Sequence, residues 1–124
     1  MSDKRILVVE DEPSLAEVVS LYLKRAGFQV QVAADGKQAM NILEKQIPDF
    51  VILDLMLPEV DGLSLTRWLR DRSDVPIIMV TAKAKDEDVN WAIKTGAKAY
   101  LVKPFKPDVL LDYVRRYARK PAAA

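Results

Sequence analysis

The sequence predicts an α/β fold: five βα units wound into a doubly wound three-layer sandwich around a five-stranded parallel sheet. Three observations carry this reading. Five short apolar runs alternate with longer segments of helical period. The runs are apolar throughout rather than alternating, as parallel strands covered on both faces are. All seven prolines fall at the boundaries of the proposed elements and none in the interior of one. Right-handed crossovers favour the doubly wound arrangement, and 2-1-3-4-5 is one of its two common strand orders. Strand physics alone does not choose between them.

In order along the chain, Ile6–Val9 is the first strand. Leu15, Val18, Val19, Tyr22 and Ala26 follow at i, i+3, i+4, i+7 spacing, which predicts a helix with those residues inward and Gly27 as its C-cap. Val30–Ala33 is the second strand. Asp35-Gly36-Lys37-Gln38 reads as an N-cap with Gln three residues on, opening a helix whose inner face is Ala39, Ile42 and Leu43. Phe50–Leu53 is the third strand, and a helix over Leu63–Arg72 turns Trp68 and Leu69 toward the core. Ile77–Val80 is the fourth strand. A helix over Asp86–Thr95 stops at Gly96; Val89, Ala92 and Ile93 form its inner face, and at 100° per residue Trp91 points almost opposite, toward solvent. Tyr100–Val102 is the fifth strand, and a helix from Pro107 to about Arg119 closes the unit. Residues 1–120 are expected to form one domain, with 121–124 a disordered tail, a linker start or a tag.

Composition narrows the chemistry. The chain has 124 residues, half of them hydrophobic, enough for one domain with a real core. No apolar run approaches the roughly 20 residues of a membrane span. The N-terminus lacks a signal-peptide pattern, so a cytoplasmic protein is expected. There is no cysteine and no histidine, which removes thiolate metal sites, histidine bases and phosphohistidine from this chain. The net charge of +1 hides a split: residues 1–62 carry 11 acids and 6 bases, residues 63–124 carry 7 acids and 13 bases. The bases of the last helix, Arg115, Arg116, Arg119 and Lys120, lack interleaved aromatics, so they read as a solvated face and not as a nucleic-acid surface.

The strand ends carry the remaining chemistry. Ligands of open parallel sheets bind at the carboxyl ends of the strands. Strand 1 ends in Glu10 and Asp11, strand 3 in Asp54, strand 4 in Thr81 and strand 5 in Lys103-Pro104. In the order 2-1-3-4-5 these strands are neighbours about 4.8 Å apart, and their last side chains share one crevice. Three carboxylates together repel, so the site calls for a cation. A hard divalent ion such as Mg²⁺ suits an all-oxygen set. With Mg²⁺ and Lys103 the crevice is neutral and ready for a transferable phosphoryl group, toward which an Asp carboxylate can act as nucleophile.

These stretches resemble the receiver domain of two-component response regulators, the CheY-like branch of the flavodoxin-like folds. The matching text is Ile6 to Glu12, Val51 to Pro58, Asp61-Gly62, Pro76 to Ala82, and Gly96 to Phe105. The resemblance covers about residues 4–118 and implies the strand order 2-1-3-4-5. It implies that Asp54 takes a phosphoryl group from a phosphohistidine on a separate sensor histidine kinase or phosphotransfer protein. It implies Mg²⁺ (Mn²⁺ as a substitute) held by Glu10, Asp11, Asp54 and the backbone carbonyl of Met56. Lys103, Thr81 and the backbone N–H of Ala82 would stabilise the phosphoryl group. Thr81 and Tyr100 would be the switch pair, and Met56, Lys83 and Pro104 would flank the site, the Lys103–Pro104 bond being cis. Trp91, Tyr100 and Phe105 outline a candidate face for a downstream protein or output domain. The domain would catalyse only its own phosphorylation and dephosphorylation.

The likeness has departures. DNA-binding relatives of the winged-helix class carry two acids just before the switch tyrosine and an arginine on the fourth helix for dimerisation. Here those positions are Lys98, Ala99 and Val89, so the salt-bridge set of that phosphorylation-dependent dimer is incomplete. Other site classes fit less well. A haloacid-dehalogenase-type phosphatase needs a second Asp two residues after the nucleophile, where this chain has Met56. An FMN carrier would find its phosphate repelled by Glu10-Asp11-Glu12. A pseudo-receiver would not need the full acid set.

Overall fold

The computed structural model describes residues 4–55, 62–82 and 86–118. Ten elements alternate along it: β1 (Arg5–Val9), α1 (Pro13–Arg25), β2 (Gln29–Ala33), α2 (Gly36–Lys45), β3 (Phe50–Asp54), α3 (Gly62–Arg70), β4 (Ile77–Thr81), α4 (Asp86–Lys94), β5 (Ala99–Val102) and α5 (Pro107–Ala118). All strand pairs are parallel and the order is β2-β1-β3-β4-β5. The predicted fold class and strand order are therefore the observed ones.

The two layers follow from the period-2 alternation of the strands. Phe50 and Ile52 of β3 point into one core layer with Val19 and Leu23 of α1 and Leu110 and Val114 of α5. Val51 and Leu53 point into the other with Leu43 of α2, Leu65 and Leu69 of α3 and Ala92 of α4. β3 is buried along its whole length, which explains its unbroken apolar run ending in one acid. β2 is different. It lies at the sheet edge and exposes Gln29, Gln31 and Val32.

Local signals set the helix ends. The Asp35 carboxylate accepts from the Gln38 N–H at 2.8 Å, as the N-cap reading requires, while the Gln38 side chain accepts from the N–H of Ala34 at 2.9 Å. At the end of α1, Gly27 takes φ of +98°, its N–H donates to Lys24 O, and Phe28 N–H donates to Leu23 O, which makes a Schellman cap.

Two helix faces differ from expectation. On α1, Leu15, Val19 and Ala26 pack on the first core layer as expected, but Val18 and Tyr22 are exposed and Ala16, Ser20 and Leu23 are buried in their place. Two apolar stripes share this helix, and its packing selects the one containing a serine. On α4, Ala92 is fully buried, Ile93 is 54% exposed and Trp91 is half-buried against the second core layer. The predicted face was rotated: Trp91 turns toward α3, where the Arg67 guanidinium lies 5.6 Å from its ring centroid. That cation–π contact, with the apolar surface beneath it, favours Trp over Ile on the inner side. α3 also ends at Arg70, two residues early, in a turn through Asp71 and Arg72. Trp68 is half-buried and Leu69 buried, as the sequence predicts.

Candidate functional site

The site sits where the strand ladders run out. Val9 pairs with Leu53, so Glu10 and Asp54 come next to each other one step on. Past the strand ends, Glu10 N–H donates to Ala33 O, Leu55 N–H to Val80 O, and Lys103 N–H to Thr81 O at 2.8 Å. Register therefore brings residues far apart in sequence to one edge without help from side chains.

Three of the side chains at this edge are shielded from solvent, two of them carboxylates. Asp54 is 2% exposed, Glu10 5% and Thr81 1%. Glu10, Asp11 and Asp54 each offer a carboxylate oxygen, and these oxygens lie within 4.8 Å of one another. The Lys103 ammonium donates to Asp54 Oδ2 at 2.8 Å and to Glu10 Oε2 at 2.9 Å. It also lies 3.6 Å from Glu12 Oε1. Glu10 Oε2 accepts in addition from the Glu12 N–H at 3.1 Å.

One ammonium shared among several acids does not satisfy them all. Burial opposes the charge on Lys103, yet its hydrogen bonds to Asp54 and Glu10 outweigh that and hold it well above the usual lysine range. A simple ion pair would pull the carboxylate down in return. Instead Glu10 is raised, because burial exceeds the opposing hydrogen bonds from Lys103 and the Glu12 backbone, and the nearby Asp54 charge adds to the rise. The site carries surplus negative charge.

That surplus, together with an all-oxygen donor set, fits a hard divalent cation. Three carboxylate oxygens within 4.8 Å of one another would suit an ion such as Mg²⁺ that keeps several of its waters. A cleft of about 440 Å³ between α1 and the end of β2 borders Glu10 and Asp11. Its walls include Pro13, Ala16, Leu21 and Val32.

The other expected residues fall around this centre. Ala82 follows Thr81 and is exposed. The Lys103–Pro104 bond is cis. Tyr100 is half-buried against the second core layer. Phe105 is half-buried against the first layer, so the candidate partner face draws on residues packed against both layers. Met56 and Lys83 lie outside the described residues.

Sequence reasoning missed two contributors. Glu12 is not among the site residues that the sequence predicts. It is the N-cap residue of α1, but its side chain makes no cap hydrogen bond and reaches Lys103 instead. Gly62 begins α3 directly against the acceptor strand: a Cβ there would meet Leu55 Cα at 2.9 Å and Asp54 O at 3.0 Å. A glycine in the first turn of a helix was the available signal, since nothing in helix formation favours it. Gly62→Ala is expected to destabilise by about 1–3 kcal/mol, lowering Tm by roughly 4–12 °C, because backbone has to give way. Thermal unfolding checks this; an unchanged Tm would show that the contact is soft.

Comparison with known proteins gives the family of this fold. The chain matches the family model of the response regulator receiver domain over residues 6–115. It is 46% identical over 117 residues to the DNA-binding response regulator MtrA of Mycolicibacterium smegmatis, covering 94% of this chain and 51% of that protein. The chain thus spans about half the length of the curated relatives it matches. Among solved structures it is similar to a CheY-like receiver domain protein from Methanospirillum hungatei, with TM-score 0.88, 29% identity and 94% of each chain covered. It is similar also to the BeF3-activated N-terminal receiver domain of Klebsiella pneumoniae RstA, with TM-score 0.85, 34% identity, and 94% and 99% covered. With this family match over most of its length, the chain belongs to the response regulator receiver domains of two-component signalling.

Proposed function

We propose that this domain is a Mg²⁺-dependent phosphorylation switch whose acceptor is Asp54. The observation that carries the proposal is the meeting of Asp54, Glu10, Asp11 and Lys103 at one edge of the sheet. The donor is a phosphohistidine on a separate sensor histidine kinase or phosphotransfer protein, since this chain has no histidine of its own. An oxygen of Asp54 attacks phosphorus; the P–N bond of the donor breaks as the O–P bond forms. Lys103, already on Asp54 Oδ2, follows the charge onto the phosphoryl oxygens. The Thr81 hydroxyl and the Ala82 N–H sit at the end of β4 to receive the remaining oxygens. When bound, Mg²⁺ adds positive charge that offsets the carboxylates and the phosphoryl group. Glu10, Asp11 and Asp54 would hold it, with the Met56 carbonyl as a further ligand.

The readout is a population shift. Thr81 turns toward the phosphoryl group, Tyr100 follows, and the surface made by α4, β5 and α5 changes for a partner or output domain. In a longer regulator of the kind exemplified by MtrA, that output would be DNA binding by a separate domain. The receiver catalyses nothing beyond its own phosphorylation and dephosphorylation, and it works in the cytoplasm. Among the described residues no helix is long and apolar enough to cross a membrane.

The test uses acetyl phosphate with and without Mg²⁺. The intact protein is expected to gain one phosphoryl mass only with Mg²⁺, located on the peptide that carries Asp54. No adduct, or one independent of Mg²⁺, would overturn the proposal.

A further inference from the structure

α4 is held unevenly along its length. Its C-terminal half is tied down by several independent contacts. Ala92 is fully buried, and Trp91 lies half-buried beneath Arg67 of α3. The Thr95 hydroxyl donates to Ala92 O at 2.8 Å. Beyond the helix, Gly96 N–H donates to Ile93 O and Ala97 N–H to Ala92 O, a second Schellman cap. Lys98 N–H then donates to Ile77 O at 2.8 Å, joining the helix exit to the start of β4. Among the described side chains of the N-terminal half, by contrast, Glu87 and Asn90 are exposed and Val89 is only half-buried.

Arg70 is the centre of the tied end. It is the last residue of α3, and its guanidinium serves three carbonyls from three directions. Nε donates to Thr95 O at 3.2 Å, Nη1 to Ser73 O at 3.0 Å and Nη2 to Val75 O at 2.7 Å. Thr95 is the residue just after α4; Ser73 and Val75 belong to the segment that feeds β4. Gly96 lets the two parts come this close. A Cβ there would lie 3.1 Å from Arg70 Nε, and its φ of +93° suits glycine. A planar fork with five donors can satisfy this set, whereas a lysine ammonium on a single stem cannot.

We infer that Arg70 is a positioning residue that makes α4 a hinged helix: it fixes the C-terminal end of α4 to α3 and to the segment feeding β4, so that α4 changes position by swinging its N-terminal half. The other end of α4 leads in sequence to the acceptor site, since Asp86 follows Thr81 by five residues. The fixed end keeps β4, the strand that carries Thr81, in register at its other end. A change at Asp54 is thereby turned into a rotation of α4 rather than its release. This rests on the proposed phosphorylation of Asp54.

The experiment is amide hydrogen exchange on the full chain, with and without acetyl phosphate and Mg²⁺, with intact mass read on the same samples. In the natural sequence, loading is expected to change exchange at residues 87–90 by at least about tenfold, the size of one charge-assisted hydrogen bond, and at residues 95–98 by less than about twofold. Without donor, Arg70→Met is expected to speed exchange at residues 95–98 by at least about tenfold while the β1 and β3 amides keep their protection. Arg70→Lys restores little of it, because one ammonium cannot reach the three carbonyls. Equal changes in both halves of α4 on loading, or unchanged exchange at residues 95–98 in Arg70→Met, would overturn the hinge. Should Arg70→Met not fold, the two halves of α4 in the natural sequence still decide. Failure of the protein to gain phosphoryl mass would sink the functional reading instead, and the donor-free comparison of Arg70→Met with the natural sequence would then decide whether Arg70 holds the helix end.

Discussion

Asp54→Asn is expected to abolish the phosphoryl adduct altogether while leaving the fold intact. The argument begins with the three carboxylates at the sheet edge, any of which could in principle be an acceptor. Asp11 is exposed at the rim. Glu10 is committed twice at Oε2, to the Glu12 backbone and to Lys103. Asp54 closes the central, fully buried strand, with Glu10 and Asp11 from β1 on one side and Thr81 and Lys103 from β4 and β5 on the other. A phosphoryl group on Asp54 would lie between these two sides, which is the ground for proposing Asp54 as the acceptor. An amide has the same shape and can still accept from Lys103 through its oxygen, but it is not a nucleophile toward phosphorus. The measurement is intact mass after acetyl phosphate and Mg²⁺, with circular dichroism as the control for folding. Asp11→Asn is the informative contrast: it keeps the nucleophile, so the adduct still forms, at higher Mg²⁺. An adduct that persists in Asp54→Asn would move the acceptor elsewhere.

Much of this centre was legible in the sequence because parallel strands end together. A buried strand written as Phe50-Val51-Ile52-Leu53 and stopped by Asp54 announces both its own burial and the edge at which its acid emerges. The same holds for Val8-Val9-Glu10 and for Val80-Thr81. Strand order was not legible from physics, since either common winding places apolar strands side by side; the resemblance supplied it. Helix rotation was the weaker part. α1 and α4 are apolar on more than one stripe, so period alone admits two faces, and neighbours decide between them. For Trp91 the deciding neighbour is Arg67, on another helix and 24 positions away in sequence. Arg70 was invisible for a related reason. Its partners are backbone carbonyls, and a carbonyl leaves no mark on residue identity; only Gly96, whose missing side chain makes room, hinted at it.

Lys103→Met is expected to lower the Tm of the metal-free protein by roughly 10–20 °C and to enlarge the stabilisation by Mg²⁺. Met preserves most of the buried stem and removes the charge. Glu10 and Asp54 are then left almost sealed from solvent without their ammonium. Breaking such a buried pair on one side costs about 3–5 kcal/mol, which for a chain of this length gives the stated shift. The pH dependence has a definite sign. Lys103 has a raised pKa, so its contribution is fully present below the ordinary lysine value and is lost only as pH rises through its higher folded value; at neutral pH all of it is at stake. Glu10 is raised as well, chiefly by burial, and loses in Lys103→Met the hydrogen bond that partly restrains it. A raised carboxyl destabilises the fold above its folded pKa and ceases to do so below its unfolded one, so the deficit of Lys103→Met should shrink as pH falls. Mg²⁺ at a hundred times its Kd stabilises any protein that binds it only when folded by about 2.7 kcal/mol, roughly 10 °C here. In Lys103→Met the ion also relieves a charge that nothing else offsets, so the gain in Tm should exceed that of the natural sequence at matched, sub-saturating Mg²⁺. Scanning calorimetry in EDTA and in Mg²⁺, at neutral and mildly acid pH, measures all of these. An unchanged Tm in EDTA, with the same response to Mg²⁺, would mean that the carboxylates are solvated well enough to need neither cation, and the charge argument for the site would fail with it.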